Sequence, residues 1–214
     1  MFRSKKEIVK QQVVQAILSG RYAAGVYLRQ NTIADEFGLS STPVREALTE
    51  LQTSGLLVHH AHRGFQVAEI SKDRVRDAYQ ARRIIEIAAA ELAVPHVTET
   101  GINHLRALLS DMERFRKARE FQRMMNANDS FHRTIFAMSG NPFLVETIER
   151  LWNGIPRFAP WMLEGRQLAS VNEHKAILDA LAAGDRSAVA AAYGIHLDNA
   201  CKTFLEKLAG PSQS

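Results

Sequence analysis

The sequence predicts a mainly α protein in two parts: an N-terminal winged helix-turn-helix with a small β-hairpin wing, and a C-terminal all-helical antiparallel bundle of six or seven helices. Three observations predict it. Apolar residues recur at the helical period of about 3.6 residues through most of the chain. Two short helical patterns separated by a glycine turn lie just ahead of a strand-like pair. The pattern then changes near residue 70, after which nearly every segment reads helical. The expected division is therefore 1–70 and 71–214.

The elements follow in order. Ile8 to Leu18 carries apolar residues at Ile8, Val9, Val13, Ala16, Ile17 and Leu18, a helical spacing. Gly20 and Gly25 bracket a turn. Asn31 to Phe37 reads as a short helix with Ile33, Ala34 and Phe37 inward, and Gly38 stands where a left-handed C-cap suits glycine. Ser40 or Ser41 can cap the next helix, and Pro43 falls in its first turn, where a missing N–H costs nothing. Val44, Ala47, Leu48 and Leu51 form its inner face, and Gly55 stops it. Leu56–His60 and Phe65–Ala68 read as two strands around Arg63-Gly64.

From Ser71, an N-cap, a long helix runs to about Val94 and ends at Pro95. Further helices are expected near Thr98–Lys117, Arg119–Met138, Pro142–Trp152, Ala169–Ala183 and Ser187–Leu208. Asn141-Pro142 and Gly184-Asp185 mark breaks. The stretch from Ile155 to Arg166, with Pro156 and Pro160, carries no clear pattern. Disorder is expected only at the two ends, Met1–Lys5 and Gly210–Ser214.

Composition excludes several classes. Hydrophobic residues make up 46% and charged residues 23%, as in an ordinary globular protein. Cys201 is the single cysteine, so no intrachain disulfide forms, and a reducing compartment is the natural setting. The most apolar segment, Ile84 to Val94, is interrupted by Glu86 and Glu91, so no membrane span is expected. The basic N-terminus lacks the apolar run of a secretory signal. These readings place the protein in the cytoplasm. The net charge of +4 permits nucleic-acid binding without demanding it. Residues 1–70 carry 8 Lys and Arg against 6 Asp and Glu, and the rest 19 against 17, so bulk charge does not locate a DNA site.

Pattern locates it instead. In a winged helix-turn-helix the second helix enters the major groove, with its N-terminal residues on base edges and phosphates. Here that helix offers Ser41, Thr42, Arg45, Glu46 and Thr49 on its polar side. Arg45 suits a guanine or a phosphate, and Thr42 at the helix N-terminus suits a phosphate. The tip His62-Arg63-Gly64 would lie along the backbone or enter the minor groove. Period and turns alone fit a small helical domain with a hairpin equally well.

The second part has a histidine pattern. Asn128 and His132 are one helical turn apart and share a face. His174 and His196 stand on two later helices. Three histidines with an oxygen donor make a reasonable ligand set for a divalent transition metal, zinc or nickel above all. Spacing alone supports this weakly, because His59, His60, His62, His96 and His104 make histidine common here. Tyr79, Arg82 and Glu86 lie at helical spacing; Arg82 could grip an effector carboxylate or bridge to Glu86 at i,i+4.

The run from Ile33 to Leu48, with Thr42-Pro43-Val44-Arg45-Glu46-Ala47-Leu48 at its centre, resembles the helix-turn-helix of the GntR family of bacterial regulators. Leu51, Gly55-Leu56 and the wing from Arg63 to Val67 extend the likeness. The rest resembles the FadR subgroup and its FCD ligand-binding domain, through Asn128-Asp129-Ser130-Phe131-His132, Ser139-Gly140-Asn141-Pro142, Glu173-His174-Lys175-Ala176-Ile177, Gly184-Asp185 and His196-Leu197. The resemblance implies a dimeric repressor on double-stranded operator DNA, controlled by a small organic acid. It also implies a metal held by Asn128, His132, His174 and His196, with Tyr79 and Arg82 at the effector. Two positions depart from the family pattern. Ser41 replaces an arginine common before the Thr-Pro pair, and Asn31 occupies another arginine place, although Arg29 lies two residues earlier. The operator sequence is therefore left open, and so is whether Asn128 or Asp129 supplies the oxygen ligand.

Two other classes compete with the regulator. A His-rich metal with an open position could activate water in a hydrolase. No general base is marked beyond Glu173 and Asp129, and the N-terminal module would have no role. A pure metal sensor, in which the ion is itself the effector, fits the same residues.

Overall fold

A computed structural model of the chain describes residues 4–69, 71–153 and 165–208. Most of the patternless stretch before Arg166, and the C-terminal end, lie outside these residues. Two compact units are present, one built mainly on the chain up to Val75 and the other beginning at Arg76.

In the first unit α1 spans Lys5–Leu18. Ser4 and Lys5 are ordered, contrary to the expected loose end, because Ser4 and Glu7 form a reciprocal capping box at 3.2 Å. Val9, Val13 and Val14 are buried and face α3 (Ser41–Thr53), each contributing roughly 1.5–3 kcal/mol. Lys6 and Lys10 both reach Glu50 of α3, at 2.5 and 2.9 Å. Between them α2 (Gln30–Phe37) ends at Gly38, whose φ of 63° is the left-handed conformation expected of it. Ser40 occupies the N-cap of α3, but its hydroxyl makes no capping bond. The Gln30 side chain donates to the Ser41 carbonyl at 3.0 Å and ties α2 to the start of α3.

The wing is a three-stranded sheet rather than a bare hairpin. Strands β2 (Leu57–His60) and β3 (Gly64–Val67) pair antiparallel, and β1 (Tyr27–Leu28) adds to the far edge of β3. Two residues are too few to print a period-2 pattern; β1 exists because β3 has a free edge. Gly64, at φ 96°, lies so close to β1 that an added Cβ would sit 2.9 Å from the Leu28 carbonyl oxygen.

The second unit is helical throughout its described residues. It contains α4 (Lys72–Ala93), a 3-10 turn at Val94–His96, α5 (Glu99–Lys117), α6 (Phe121–Met138), α7 (Pro142–Asn153), α8 (Arg166–Ala182) and α9 (Arg186–Leu208). Ser71 caps α4 by accepting from the Arg74 N–H at 3.1 Å, and Thr98 caps α5 likewise through Gly101 at 3.1 Å. The helix predicted from Arg119 starts two residues later, with Arg119 itself at φ 56° in the connecting turn. Helix α5 packs on α6 and α8. Leu105, Met112, Met124, Phe131, Ile135, Ile177, Leu181 and Tyr193 fill the core. Four polar rows break this apolar interior: Arg82 and Glu86 on α4, Asn128 and His132 on α6, Ser170 and His174 on α8, and Tyr193 and His196 on α9. Each row is one helical turn, so each pair shares a face.

Candidate functional site

The first unit presents a continuous polar surface at the start of α3. Ser41, Thr42, Arg45, Glu46 and Thr49 are all exposed, while Val44, Ala47, Leu48 and Leu51 are buried beneath them. Arg29, just ahead of α2, is exposed as well. In the wing His62 and Arg63 are exposed and Gly64 is half-buried. His62 stands at φ 64°, a left-handed conformation disfavoured for a residue with a side chain. Every residue that the sequence marked for DNA thus lies at the α3 start, before α2 or at the wing turn, free of the core.

The second unit brings His132, His174 and His196 together from three helices, with their ligating nitrogens all within 4.8 Å. His132 Nε2 and His174 Nε2 are 2.9 Å apart. All three rings are buried, 0–4% exposed, as is Asn128 at 3%. The other histidines are exposed or half-buried. Tertiary packing therefore separates three histidines from eight, which spacing could not do.

Each ring is oriented from behind. His174 Nδ1 meets the Ser170 carbonyl, and His196 Nδ1 meets Glu173 Oε2 at 2.8 Å. A carbonyl and a carboxylate only accept, so both rings carry their proton on Nδ1 and leave Nε2 unprotonated. His132 Nδ1 meets the Tyr193 hydroxyl at 2.6 Å. Glu173 is held in turn by Arg166, at 2.9 and 2.7 Å, and by Asn199 Nδ2 at 2.8 Å. Burial holds His174 down at about pKa 4 against the ordinary 6.5, and burial with His174 as neighbour pushes His196 well below its usual range. Glu173 does not reverse this for His196, because Arg166 already neutralises it. His174 and His196 are therefore neutral imidazoles at physiological pH, the form that binds metals.

The residues fit a metal ion. The three rings each offer one nitrogen, and these lie close enough together to converge on one ion. The backing acceptors are the outer partners that metal-bound histidines ordinarily have. Asn128 supplies an independent sign: its Oδ1 is buried without a hydrogen-bond partner, while its Nδ2 donates to Asp129 Oδ1 at 3.1 Å. A bare buried acceptor one turn from His132 is what an oxygen ligand would be. Asp129 is half-buried and accepts from Asn128.

On α4, Arg82 and Glu86 form a buried ion pair, Nε to Oε1 at 2.6 Å and Nη2 to Oε2 at 3.4 Å. Burial opposes the Arg82 charge, but Glu86 more than compensates and holds its pKa above the ordinary value. The Arg82 guanidinium lies over the Tyr79 ring at 4.7 Å. Tyr79 is 4% exposed, and its hydroxyl has no partner. Sequence reasoning missed Ser170, Tyr193 and Arg166 altogether. Ser170 lies four residues before His174 and Tyr193 three before His196, so helical spacing could have found both; Arg166 lay in the patternless stretch.

Comparison with known proteins agrees with both units. The model of the gntR family of bacterial regulatory proteins matches residues 5–67, and that of the FCD domain matches residues 77–199. The HTH-type transcriptional regulator McbR of Escherichia coli is 29% identical over 155 residues, 72% of this chain and 70% of that one. The Nta operon transcriptional regulator of Aminobacter aminovorans is 27% identical over 193 residues, 90% and 91% of the two chains. A probable D-xylose utilization operon transcriptional repressor of Paenarthrobacter nicotinovorans is 29% identical over 182 residues, 83% and 78%. Among solved structures, E. coli McbR/YncC superposes with a TM-score of 0.66 at 23% identity, covering 98% of this chain and all of that one. A metal-free FCD domain of another regulator superposes with a TM-score of 0.56 at 17% identity, over 66% of this chain and 99% of that one. These relatives are regulators of transcription and not enzymes, and no described helix is long and apolar enough to cross a membrane. The chain belongs to the GntR family of DNA-binding transcriptional regulators, with an FCD domain following its helix-turn-helix.

Proposed function

We propose that this regulator is a cytoplasmic repressor of the FadR subgroup. It binds double-stranded operator DNA as a homodimer and responds to a small organic acid at a divalent transition-metal site. Residues 1–70 bind DNA, and residues 71–214 bind the effector and dimerise. The observation that carries the reading is the buried trio of His132, His174 and His196, with Nδ1 of the last two turned to Ser170 and Glu173 and their Nε2 left unprotonated. A helical core has no structural need to gather three imidazoles from three helices, since burying polar groups costs stability.

His132, His174, His196 and Asn128 would hold the ion, zinc or nickel by the nitrogen-rich donor set. When bound, the ion supplies a positive centre for an anionic ligand. Arg82 and Tyr79 orient the acid, and Ser170, Glu173 and Tyr193 keep the rings in place. At the other end Ser41, Thr42, Arg45, Glu46 and Thr49 read the major groove, while Arg29, His62, Arg63 and Gly64 hold the backbone or minor groove. Effector binding favours one arrangement of the two DNA-binding units over the other, by the difference in its affinity for the two. Dimerisation is supported by Ile84 on α4 and Ile195 on α9, which are 66% and 58% exposed beside the Arg83–Asp198 pair.

One observation favours a second reading. Arg82 is already engaged by Glu86, as a pure metal sensor would allow. Operator binding titrated with metal alone, then with metal plus small acids, separates the two. Release that needs both metal and acid supports the effector reading; release by metal alone supports the sensor. Full metal content in a His174→Ala variant, or none in reconstituted wild type, overturns both.

A further inference from the structure

Four buried polar atoms among the described residues of the helical unit have no hydrogen-bond partner: Asn128 Oδ1, Tyr79 Oη, Arg166 Nε and, on α5, Arg116 Nε. The first is accounted for by the metal reading. Tyr79 Oη and Arg166 Nε are donors on residues 4% and 5% exposed, whereas Arg116 is only half-buried. A buried N–H of a charged guanidinium without an acceptor is unfavourable and calls for an explanation.

Arg166 opens α8 and lies on the face that carries Ser170, Glu173 and His174. Its two terminal nitrogens are committed to Glu173, and Nη2 also approaches the His196 carbonyl at 3.4 Å. Nε–H is left over. Tyr79 is in a similar state: its ring is covered by Arg82 and its hydroxyl is unused. The charge of Arg166 acts on the Tyr79 hydroxyl and on His174 and His196, so the two orphan donors and the histidines share one electrostatic neighbourhood.

The charges there do not balance. Arg82 is neutralised by Glu86 and Arg166 by Glu173. Three imidazoles and the Asn128 amide are neutral ligands. A divalent ion would therefore bring two positive charges with no protein anion among its ligands, and burial makes such an excess costly.

Resting on the effector reading above, we propose that Arg166 Nε–H and the Tyr79 hydroxyl form a second anchor, and that the effector is a two-ended acid. One carboxylate meets the ion and Arg82; the other takes the orphan hydrogen bonds of Arg166 and Tyr79. Its two charges balance those of the ion. A dicarboxylate has this chemistry and a simple monocarboxylate does not.

Calorimetry on the metal-reconstituted full chain tests the inference, with malonate, succinate and glutarate set against acetate and butyrate. At least one dicarboxylate should bind about tenfold more tightly than its monocarboxylate partner, the gain expected of added charge-assisted bonds. Arg166→Gln should narrow this ratio, but it strips Glu173 of its cation and can disturb the fold. Tyr79→Phe removes only the unused hydroxyl; it should narrow the same ratio while metal content and melting temperature stay at wild-type values. Equal affinity for mono- and dicarboxylates in wild type overturns the second anchor and leaves the effector reading standing. So does an unchanged ratio in Tyr79→Phe. No carboxylate binding at full metal content overturns the effector reading itself.

Discussion

Acid should unfold the metal-free protein through its histidine cluster. The perturbation is a shift from about pH 7.5 to about pH 5 in the presence of a chelator. In the folded state burial holds His174 near 4, whereas the unfolded chain offers the ordinary value of 6.5. The unfolded state therefore binds more protons between these limits, and stability is lost as pH falls from the upper value through the lower. The full gap corresponds to about 3 kcal/mol, of which about 2 kcal/mol is already lost at pH 5. At about 2–4 °C per kcal/mol for a domain of this size, the melting temperature should drop by about 4–8 °C from this ring alone. His196 is displaced in the same direction and adds to the loss. The assay is a thermal melt followed by circular dichroism at the two pH values, on wild type and on His174→Gln. The variant should keep only the His196 share of the acid sensitivity. Equal melting temperatures at both pH values in wild type, or undiminished sensitivity in the variant, would refute the claim that His174 is buried as a neutral ring.

Other outcomes follow from the same geometry. Arg45→Ala should weaken operator binding by about 1–3 kcal/mol if Arg45 contacts a base edge, read by mobility shift against a selected inverted repeat. Gly64→Ala sets a Cβ against the Leu28 carbonyl oxygen at 2.9 Å, in a backbone region hostile to side chains. It should destabilise the wing by about 1–2 kcal/mol and lower operator affinity, with metal content unchanged on elemental analysis. Arg82→Ala leaves Glu86 buried without its cation and should cost about 3–5 kcal/mol in urea denaturation. The double variant Arg82→Met with Glu86→Leu should recover most of that stability yet bind carboxylate effectors no better than their amides by calorimetry. A double variant that still prefers carboxylates would remove Arg82 from effector recognition.

The reading helix was legible from local rules. Val44, Ala47, Leu48 and Leu51 fall on one face by period alone, so the opposite face, with Ser41, Arg45 and Thr49, had to be outward. Gly38 announced the turn because only one conformation closes that helix end cheaply. Ser40 was less informative: a capping hydroxyl is judged by residue type, yet the bond depends on the side chain's orientation, and here the Ser40 hydroxyl makes none. Strand β1 was invisible, since its two residues owe their conformation to the edge of β3, some 37 residues downstream.

In the helical half the sequence alone determined which helices exist and that Asn128 and His132 share a face, because both follow from short-range spacing. The FCD resemblance singled out His174 and His196, but spacing by itself could not tell them from His96 and His104, nor decide whether Arg82 faced Glu86. Those are questions of which faces of separate helices meet, and only long-range packing answers them. The tertiary structure gathered three rings from α6, α8 and α9, shut water away from them and lined up Ser170, Glu173 and Tyr193 behind. Burial then decided the protonation of His174 and His196, since the cost of a charge depends on the medium around it and not on the residues beside it in the chain.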